Sequence, residues 1–525
     1  VNVPLPFWRI HGTLRGLNAV GRSTQFEGRF GRMFRTLPPA SFTDAELEAL
    51  AEKMVAEDEG APTPETADPP DDEENVGPDH AKPAVPAGYT YLGQFIDHDL
   101  TFDPASSLQK ANDPDALVDF RTPRFDLDNV YGRGPDDQPY LYQADGVRMQ
   151  LGRSLTGNPA DPKARDVPRT APDAGPRRAL IGDPRNDENV IVSQLQAAFL
   201  RFHNRVADVL NVTDPGDFPE VQKFVRWHYQ WAVLHDFLPT LIDPATLHKV
   251  LPHLANGTSL AQDPPRLQFY KPKKEPFIPV EFSVAAYRFG HSMVRPIYRL
   301  SETVPPTESD GTAPDGRLPV FAPPPRLSLV GFDEFPSNWA VDWRLFFNVA
   351  PAPQAGKMRV QPAYKIDTSL VNPLGALPAA VAHGVPSLAL RNLLRGKSMG
   401  LPSGQSVARA LKIPVLDEDQ LRAGKANADD VPMNPRLIDV SPAFEDNAPL
   451  WFYVLAESMS VFRDNDTPIL LGPVGGTIVA EVFVGLMLGD QFSFLRQHPG
   501  WKPFSQFMNS GRFGIAELLA QAMQA

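Results

Sequence analysis

His98 stands in the run Gly93-Gln94-Phe95-Ile96-Asp97-His98-Asp99-Leu100-Thr101, which holds one titratable base, one amide and two carboxylates. On a helix, Gln94 and His98 lie one turn apart and share a face. Asp97 falls at the edge of that face, and Asp99 points about 100° away from His98. One face can therefore serve a pocket while Asp99 serves something else. Taken alone, the run fits equally a surface helix end rich in aspartate. Asp99 has companions in Arg121-Thr122-Pro123-Arg124-Phe125-Asp126-Leu127-Asp128-Asn129-Val130-Tyr131-Gly132. Thr122, Asp126 and Asp128 offer hard oxygen donors at even spacing, with backbone carbonyls between them. That pattern suits Ca2+, which takes about six to eight oxygens in flexible geometry. An ordinary Asp-rich turn is the plain alternative.

Three more segments carry groups of this kind. Gly182-Asp183-Pro184-Arg185-Asn186-Asp187-Glu188 precedes an apolar helix that begins near Val190. Tyr287-Arg288-Phe289-Gly290-His291-Ser292-Met293 sets a histidine after a glycine, where a backbone without a side chain lets a flat ligand approach closely. The stretch from Arg391 to Gly404 contains Asn392, Arg395 and the turn Gly400-Leu401-Pro402. Of the remaining histidines, His228, His235, His248 and His253 fall in or near helical core segments, where packing is the default role.

The elements that must position these groups are mostly helices. Apolar spacing predicts helices over 44–56, 89–100, 191–210 and 219–242, the last interrupted at Pro239. A further helical pattern over 280–300 is expected to end or kink at Pro296. Others follow at 387–396, 404–411, 447–463, 476–489 and 514–523. Alternating strand patterns are scarce and no internal repeat is found. Residues 57–80 are acidic, Pro-rich and nearly free of large apolar side chains, which predicts a solvated, mobile loop. Residues 303–327 are Pro-rich and irregular. The expected fold is mainly α, one large domain with long Pro/Gly-rich loops and little β.

Composition narrows the function. The chain has 525 residues, 57 of them proline and 37 glycine, which suits long irregular connections and argues against a coiled coil. The net charge of −13 disfavours nucleic acid and anionic membranes as partners. The absence of cysteine excludes disulfides, thiolate nucleophiles, iron–sulfur clusters and cysteine-ligated metal. The opening VNVPLPFWRIHG lacks the basic leader and sustained apolar stretch of a signal peptide, although one removed ahead of Val1 would leave no trace. A soluble protein is expected, with secretion left open. The apolar stretch from Pro468 to Leu488 carries Gly472, Gly475, Gly476 and Glu481, and reads as a buried loop and core helix rather than a membrane span.

Taken in order, the five segments resemble the animal-type haem peroxidase superfamily, the group that includes myeloperoxidase and lactoperoxidase. Gly93 to Asp99 resembles the family's distal helix, the loop ending in Val130-Tyr131-Gly132 its calcium loop, and Gly182 to Glu188 its distal arginine segment. Arg201-Phe202-His203-Asn204-Arg205 resembles the helix that follows, Arg288-Phe289-Gly290-His291 the proximal helix, and Asn392 with Arg395 the proximal-side helix. LRNLLRGKSMGLPSGQSVA is similar to the bacterial branch sometimes called peroxicins.

The resemblance implies one animal-type haem peroxidase domain over residues 1–525. Residues 1–84 would form an N-terminal extension and 85–500 the catalytic core. It implies a haem b-derived porphyrin and Ca2+ as cofactors. Hydrogen peroxide would be the oxidant, with a halide, thiocyanate or small aromatic donor oxidised through a ferryl intermediate. His98 would be the distal base, Arg185 its partner and Gln94 the glutamine near the halide site. His291 would ligate iron, with Asn392 accepting a hydrogen bond from its other ring nitrogen. Asp97 and Glu188 match the carboxylates that form ester bonds to haem, and Arg288 and Arg395 match arginines on the haem periphery. Asp99, Thr122, Arg124 through its carbonyl, Asp126 and Asp128 match the calcium ligands. Asn189 stands where myeloperoxidase has a methionine bonded to haem, so that link should be absent.

The chemistry fits these residue types. A neutral imidazole can take a proton from one peroxide oxygen and return it to the other. A guanidinium stabilises the departing oxygen without losing its own proton. A proximal histidine facing a neutral amide is less imidazolate-like than one facing a carboxylate, which raises the iron potential. Two rivals remain. One is the fatty-acid dioxygenase and cyclooxygenase branch, which places a tyrosine three residues before the proximal histidine; here that position is Arg288, and Tyr287 is four before. The other is a haem-binding or adhesion protein without turnover.

Overall fold

The computed structural model describes residues 28–56, 74–75, 84–101, 118–119, 121–175, 177–212, 214–272, 275–301, 317–322, 327–352, 359–379, 381–382, 384–426, 431–461 and 468–525. The N-terminal stretch read for a signal peptide, most of 57–80 and most of 303–327 lie outside these residues.

Helices dominate, as their apolar spacing predicts. The longer ones are α1 (Asp44–Lys53), α2 (Gly88–Leu100), α3 (Val190–Val209), α4 (Phe218–Ala232), α5 (Leu388–Ser398), α6 (Gly404–Leu411), α7 (Leu450–Val461), α8 (Pro473–Gly489) and α9 (Ile515–Ala522). Several starts are set by local chemistry. Thr43 and Glu46 form a reciprocal capping box on α1, and Ser387 and Ser403 cap α5 and α6. Pro473 opens α8 where its missing N–H is harmless. α3 is the structural axis: it is buried along nearly its whole length and packs on α2, α4 and α9.

The interruption expected at Pro239 takes the form of a π-helical turn over Val233–Phe237, after which a short helix, Leu238–Leu241, carries Pro239 in its first turn. Proline lacks the N–H that a continuous helix needs there, and the wider turn absorbs the mismatch.

Strands are short. β1 (Gly28–Gly31) lies between β2 (Val118–Asp119), which is antiparallel to it, and β3 (Ile278–Pro279), which is parallel. β4 (Ile297–Arg299) pairs with β5 (Arg317–Pro319). No helix among the described residues is long and apolar enough to cross a membrane.

Two expectations are corrected. The pattern over 280–300 is not one helix. It breaks into a short helix Val280–Ser283, a tight 3-10 stretch Ala286–His291 and then β4. Ala285 leaves helical backbone at φ −129°, ψ −78°, and pairing with β5 extends the chain beyond Pro296. The acidic segment is also not wholly solvated. Glu74 and Asn75, its described residues, are buried. Glu74 accepts from Arg295 at 2.8 Å and from Arg359 at 2.7 Å, and Asn75 exchanges two hydrogen bonds with the backbone of Ile469. Composition predicts solvation because it averages over the segment and does not see two partnered residues within it.

Candidate functional site

α2 packs against both the Pro184–Asp187 turn and the Ala286–His291 stretch, so three of the five segments meet. Tyr287 makes the join direct: its hydroxyl donates to the Gly93 carbonyl at 3.1 Å. α7 holds the other side, with Trp451 donating to the Arg288 carbonyl.

His98 is buried, and its tautomer follows from a chain of amides. Asn129 offers a backbone carbonyl, which can only accept. Gln196 Nε2 donates to it at 3.3 Å, so Gln196 Oε1 faces Asn186 and accepts from Asn186 Nδ2 at 2.8 Å. Asn186 Oδ1 is then left for His98 Nδ1, 2.7 Å away. The proton must sit on Nδ1, which leaves His98 Nε2 with a bare lone pair. Burial, reinforced by the Arg185 charge, lowers the His98 pKa to about 4, so the ring is neutral near pH 7. The sequence points to His98 but not to Asn186 or Gln196. Amides at those positions carry no motif, and only the fold shows that they align.

Arg185 is fixed beside this ring. Its guanidinium pairs with Asp183 and donates to the carbonyls of Thr101 at 2.6 Å and His98 at 3.1 Å. Asp183, fully buried, is held ionised: its pKa falls to about 2 because Arg185 and Arg121 outweigh its burial. Gln94 Nε2 donates to Glu188 Oε2 at 3.2 Å. Glu188 opens onto the space between these segments, yet crowding by protein raises its pKa to about 7, with Asp183 and Asp97 adding and Arg185 opposing.

On the opposite side, burial and Arg288 lower the His291 pKa to about 3, so this imidazole is also neutral. Its Nδ1 lies 2.7 Å from Asn392 Nδ2, and Asn392 Oδ1 accepts from Arg288 at 2.7 Å. This reverses the polarity expected from the sequence, where the amide accepts from the ring. Here Arg288 claims the oxygen and turns the amide nitrogen toward His291. Burial lowers the Arg288 pKa to about 10, and the nearby Arg395 and Arg391 charges add to the effect. A buried positive cluster of this kind calls for anionic groups.

Asp97 relates the two sides. Its carboxylate charge raises the proton affinity of His98, Glu188 and Arg288 alike, so all three lie within its electrostatic reach. A Cβ built on Gly290 would meet no atom within 4 Å, so open space adjoins His291 inside a well-packed region. Neutral imidazoles from two segments that pack together, carboxylates beside His98, an arginine cluster beside His291 and this gap suit a flat, anionic, metal-centred group. The residues present fit haem.

The second constellation is compact. Ligand oxygens of Asp99, Asp126 and Asp128 all lie within 4.8 Å of one another. Asp99 is fully buried, and neither of its carboxylate oxygens has a hydrogen-bond partner. Burial and the Asp126 and Asp128 charges raise its pKa well above the usual carboxylate range. Thr122 Oγ1 donates to Asp126 Oδ2 at 2.8 Å, and Arg124 lies in the same loop with its N–H on the Thr122 carbonyl. Leu127, in the left-handed region at φ 57°, makes the turn that brings Asp126 and Asp128 to one side. Hard oxygens only, with excess negative charge and orphaned buried atoms, fit Ca2+.

His228, His235 and His253 pack in the interior as expected, their pKa values lowered chiefly by burial. His248 is half-buried.

A family model described as animal haem peroxidase matches residues 106–508, and the chain belongs to that family. The match begins just past α2, so His98 lies outside it. Thyroid peroxidase of Canis lupus familiaris is 26% identical over 409 residues, covering 74% of this chain and 38% of that protein. Peroxidase A from Dictyostelium discoideum superposes with a TM-score of 0.55 at 16% identity, covering 90% of this chain and 88% of that one. Fatty acid alpha-dioxygenase of Arabidopsis thaliana superposes with a TM-score of 0.53 at 12% identity, covering 93% and 75%. These two likenesses show the fold. The chain spans between a fifth and two-fifths of the length of the first curated relatives it matches.

Proposed function

We propose that the chain is a haem-dependent peroxidase that reduces hydrogen peroxide and oxidises a halide, thiocyanate or small aromatic donor. The observation that carries this reading is the pairing of two neutral histidines on segments that pack together, buried His98 with a bare Nε2 and half-buried His291 next to open space.

His291 would hold the haem iron through Nε2, which requires the ring proton on Nδ1. The Asn392 amide would then present its oxygen to His291, and Arg288 would turn to another acceptor. Arg288 and Arg395 supply the positive charge that haem carboxylates need. Asp97 and Glu188 are the carboxylates available for ester links. Haem, when bound, supplies an iron centre that peroxide oxidises. The protein supplies proton control. His98 Nε2 takes the proton from one peroxide oxygen and returns it to the other, while Nδ1 stays tied to Asn186. Arg185 contributes a fixed charge beside it that opposes build-up of negative charge on the leaving oxygen. Gln94 offers an amide to the donor. Asp99, Thr122, Asp126 and Asp128, with the Arg124 carbonyl, would bind Ca2+ and hold the end of α2 that carries His98.

The test is reconstitution with hemin and stopped-flow mixing with peroxide. His98→Ala should keep the haem absorption band but slow oxidation by peroxide at least about a hundredfold. His291→Ala should fail to retain haem. Normal peroxide reactivity in His98→Ala would end this reading.

A further inference from the structure

Asn189 sits at the N-terminus of α3, directly after Glu188, and its two ends do different things. Oδ1 accepts from the backbone N–H groups of Ile191 at 3.1 Å and Val192 at 2.9 Å, which makes Asn189 the N-cap of α3. Backbone N–H groups can only donate, so these bonds settle which end of the amide is oxygen. The other end, Nδ2, therefore points away from the helix and donates to Gln94 Oε1 at 3.2 Å. That bond in turn settles Gln94: its oxygen faces Asn189, and its Nε2 faces Glu188.

We propose that Asn189 is a positioning residue that fixes the Gln94 amide with its N–H end toward the cavity, where it presents a donor to a small anionic substrate. The polarity starts at the N-terminus of α3 and is passed through two amides. One Gln94 N–H is taken by Glu188 and the other remains for the anion. Without the Asn189 donor, only the 3.2 Å bond to Glu188 orients the amide, and a protonated Glu188 can donate to the Gln94 oxygen instead, so either end can face the cavity. An oxygen there repels the anion that a nitrogen binds.

This rests on the reading of Gln94 as the group that meets the donor, and the experiment separates the two. The probe is bromide, titrated into hemin-reconstituted ferric protein and followed by the change in the haem absorption band. Asn189→Ser and Asn189→Asp both keep an N-cap oxygen, so both should melt close to the parent protein. Asp carries no donor, and the shorter Ser hydroxyl, held at the N-cap, does not span to Gln94. Asn189→Asp goes further, because a carboxylate attracts the Gln94 nitrogen and reverses the amide. Loss of a hydrogen bond to an anion should raise the bromide dissociation constant about tenfold in Asn189→Asp, with a smaller rise in Asn189→Ser. Gln94→Leu should show a comparable loss.

In the Gln94→Leu background, Asn189→Asp should add nothing. A full additional loss there would mean that the new charge acts on bromide directly, and it would overturn the proposal. Unchanged binding in both Asn189 variants with weakened binding in Gln94→Leu would overturn it too, while leaving Gln94 in its role. Unchanged binding in Gln94→Leu would remove the reading of Gln94 and the positioning role of Asn189 with it.

Discussion

His98 Nδ1 and Asn186 Oδ1 lie 2.7 Å apart, and the Asn186 amide is itself oriented by Gln196. The pair fixes the proton on one ring nitrogen and leaves the other bare. Replacing Asn186 by Leu should release the tautomer, which nitrogen-15 shifts of the His98 ring in haem-free protein would report as loss of a single Nδ1–H form. Peroxide reactivity in the reconstituted protein should fall with it. Replacing Asn186 by Asp places a carboxylate on Nδ1–H and should raise the His98 pKa. The sign for the parent protein follows from a pKa lowered to about 4: the base is available at neutral pH and is lost as pH falls toward that value. The rate constant for peroxide should be flat near neutrality and decline toward about pH 4, and Asn186→Asp should move the decline upward. An unshifted profile in that variant would remove Asn186 from the argument.

The carboxylates of Asp99, Asp126 and Asp128 repel one another unless a cation joins them. Elemental analysis should find about one calcium per chain. Chelation should lower the thermal midpoint, because a ligand present at about a hundred times its dissociation constant contributes about 2.7 kcal/mol. Asp126→Ala should remove the response to added calcium. Protein free of calcium as purified, with an Asp126→Ala variant indistinguishable from the parent, would dispose of the site.

Much of this arrangement was legible in the sequence, for physical reasons that differ between residues. Gln94 and His98 fall on one helical face by spacing alone, and α2 bears that out. Asp126 and Asp128 were readable as candidates because alternate residues of one turn can come to the same side, and they do cluster with Asp99. Asn186 and Gln196 were not, since they act only through contacts made by folding. The Arg288 contact that turns the Asn392 nitrogen toward His291 was not legible for a similar reason: it joins residues 104 positions apart in the chain. The break-up of 280–300 was missed because apolar spacing cannot report the backbone at Ala285 or the pull of β5 on β4. Glu74 hid within an acidic run whose other charges gave no hint of a buried partner.

Glu74 is buried between Arg295 and Arg359. Removing one member of a buried ion pair strands the other, at a cost of about 3–5 kcal/mol. Glu74→Ala should therefore lower the urea midpoint far more than alanine at other acidic positions of 57–80. Glu74→Gln, which keeps acceptor oxygen but not charge, should fall between. An Ala variant as stable as the parent would mean that this short anchored stretch contributes nothing to the fold.

Tyr287 tests the choice between peroxidase and fatty-acid dioxygenase. Its hydroxyl donates to the Gly93 carbonyl, and its ring stacks on Phe282 at 4.8 Å between centroids. Arg288, not a tyrosine, occupies the position three before His291. Tyr287→Phe should leave peroxide-driven oxidation of bromide or a simple phenol within about twofold of the parent, since it removes one neutral hydrogen bond and keeps the ring packing. Oxygen uptake with a long-chain fatty acid should be absent in both proteins. Fatty-acid oxygenation by the parent that disappears in Tyr287→Phe would reverse the assignment, because it would require a tyrosine radical at this position.

Glu188 and Asp97 bear on whether haem is held by more than coordination and packing. Glu188 has a pKa raised to about 7 by crowding, so near neutrality a large fraction is the protonated acid, and Gln94 already holds one of its oxygens. An ester would remove the penalty of burying its charge altogether. After hemin reconstitution and treatment with peroxide, acid–organic extraction should leave porphyrin on the chain, and peptide mapping should find it on peptides containing Asp97 and Glu188. Glu188→Gln should lose one attachment and Asp97→Asn the other, while the double variant should release all its haem. Complete extraction from the parent after repeated peroxide exposure would show that His291 and the Arg288–Arg395 cluster hold the group without covalent help.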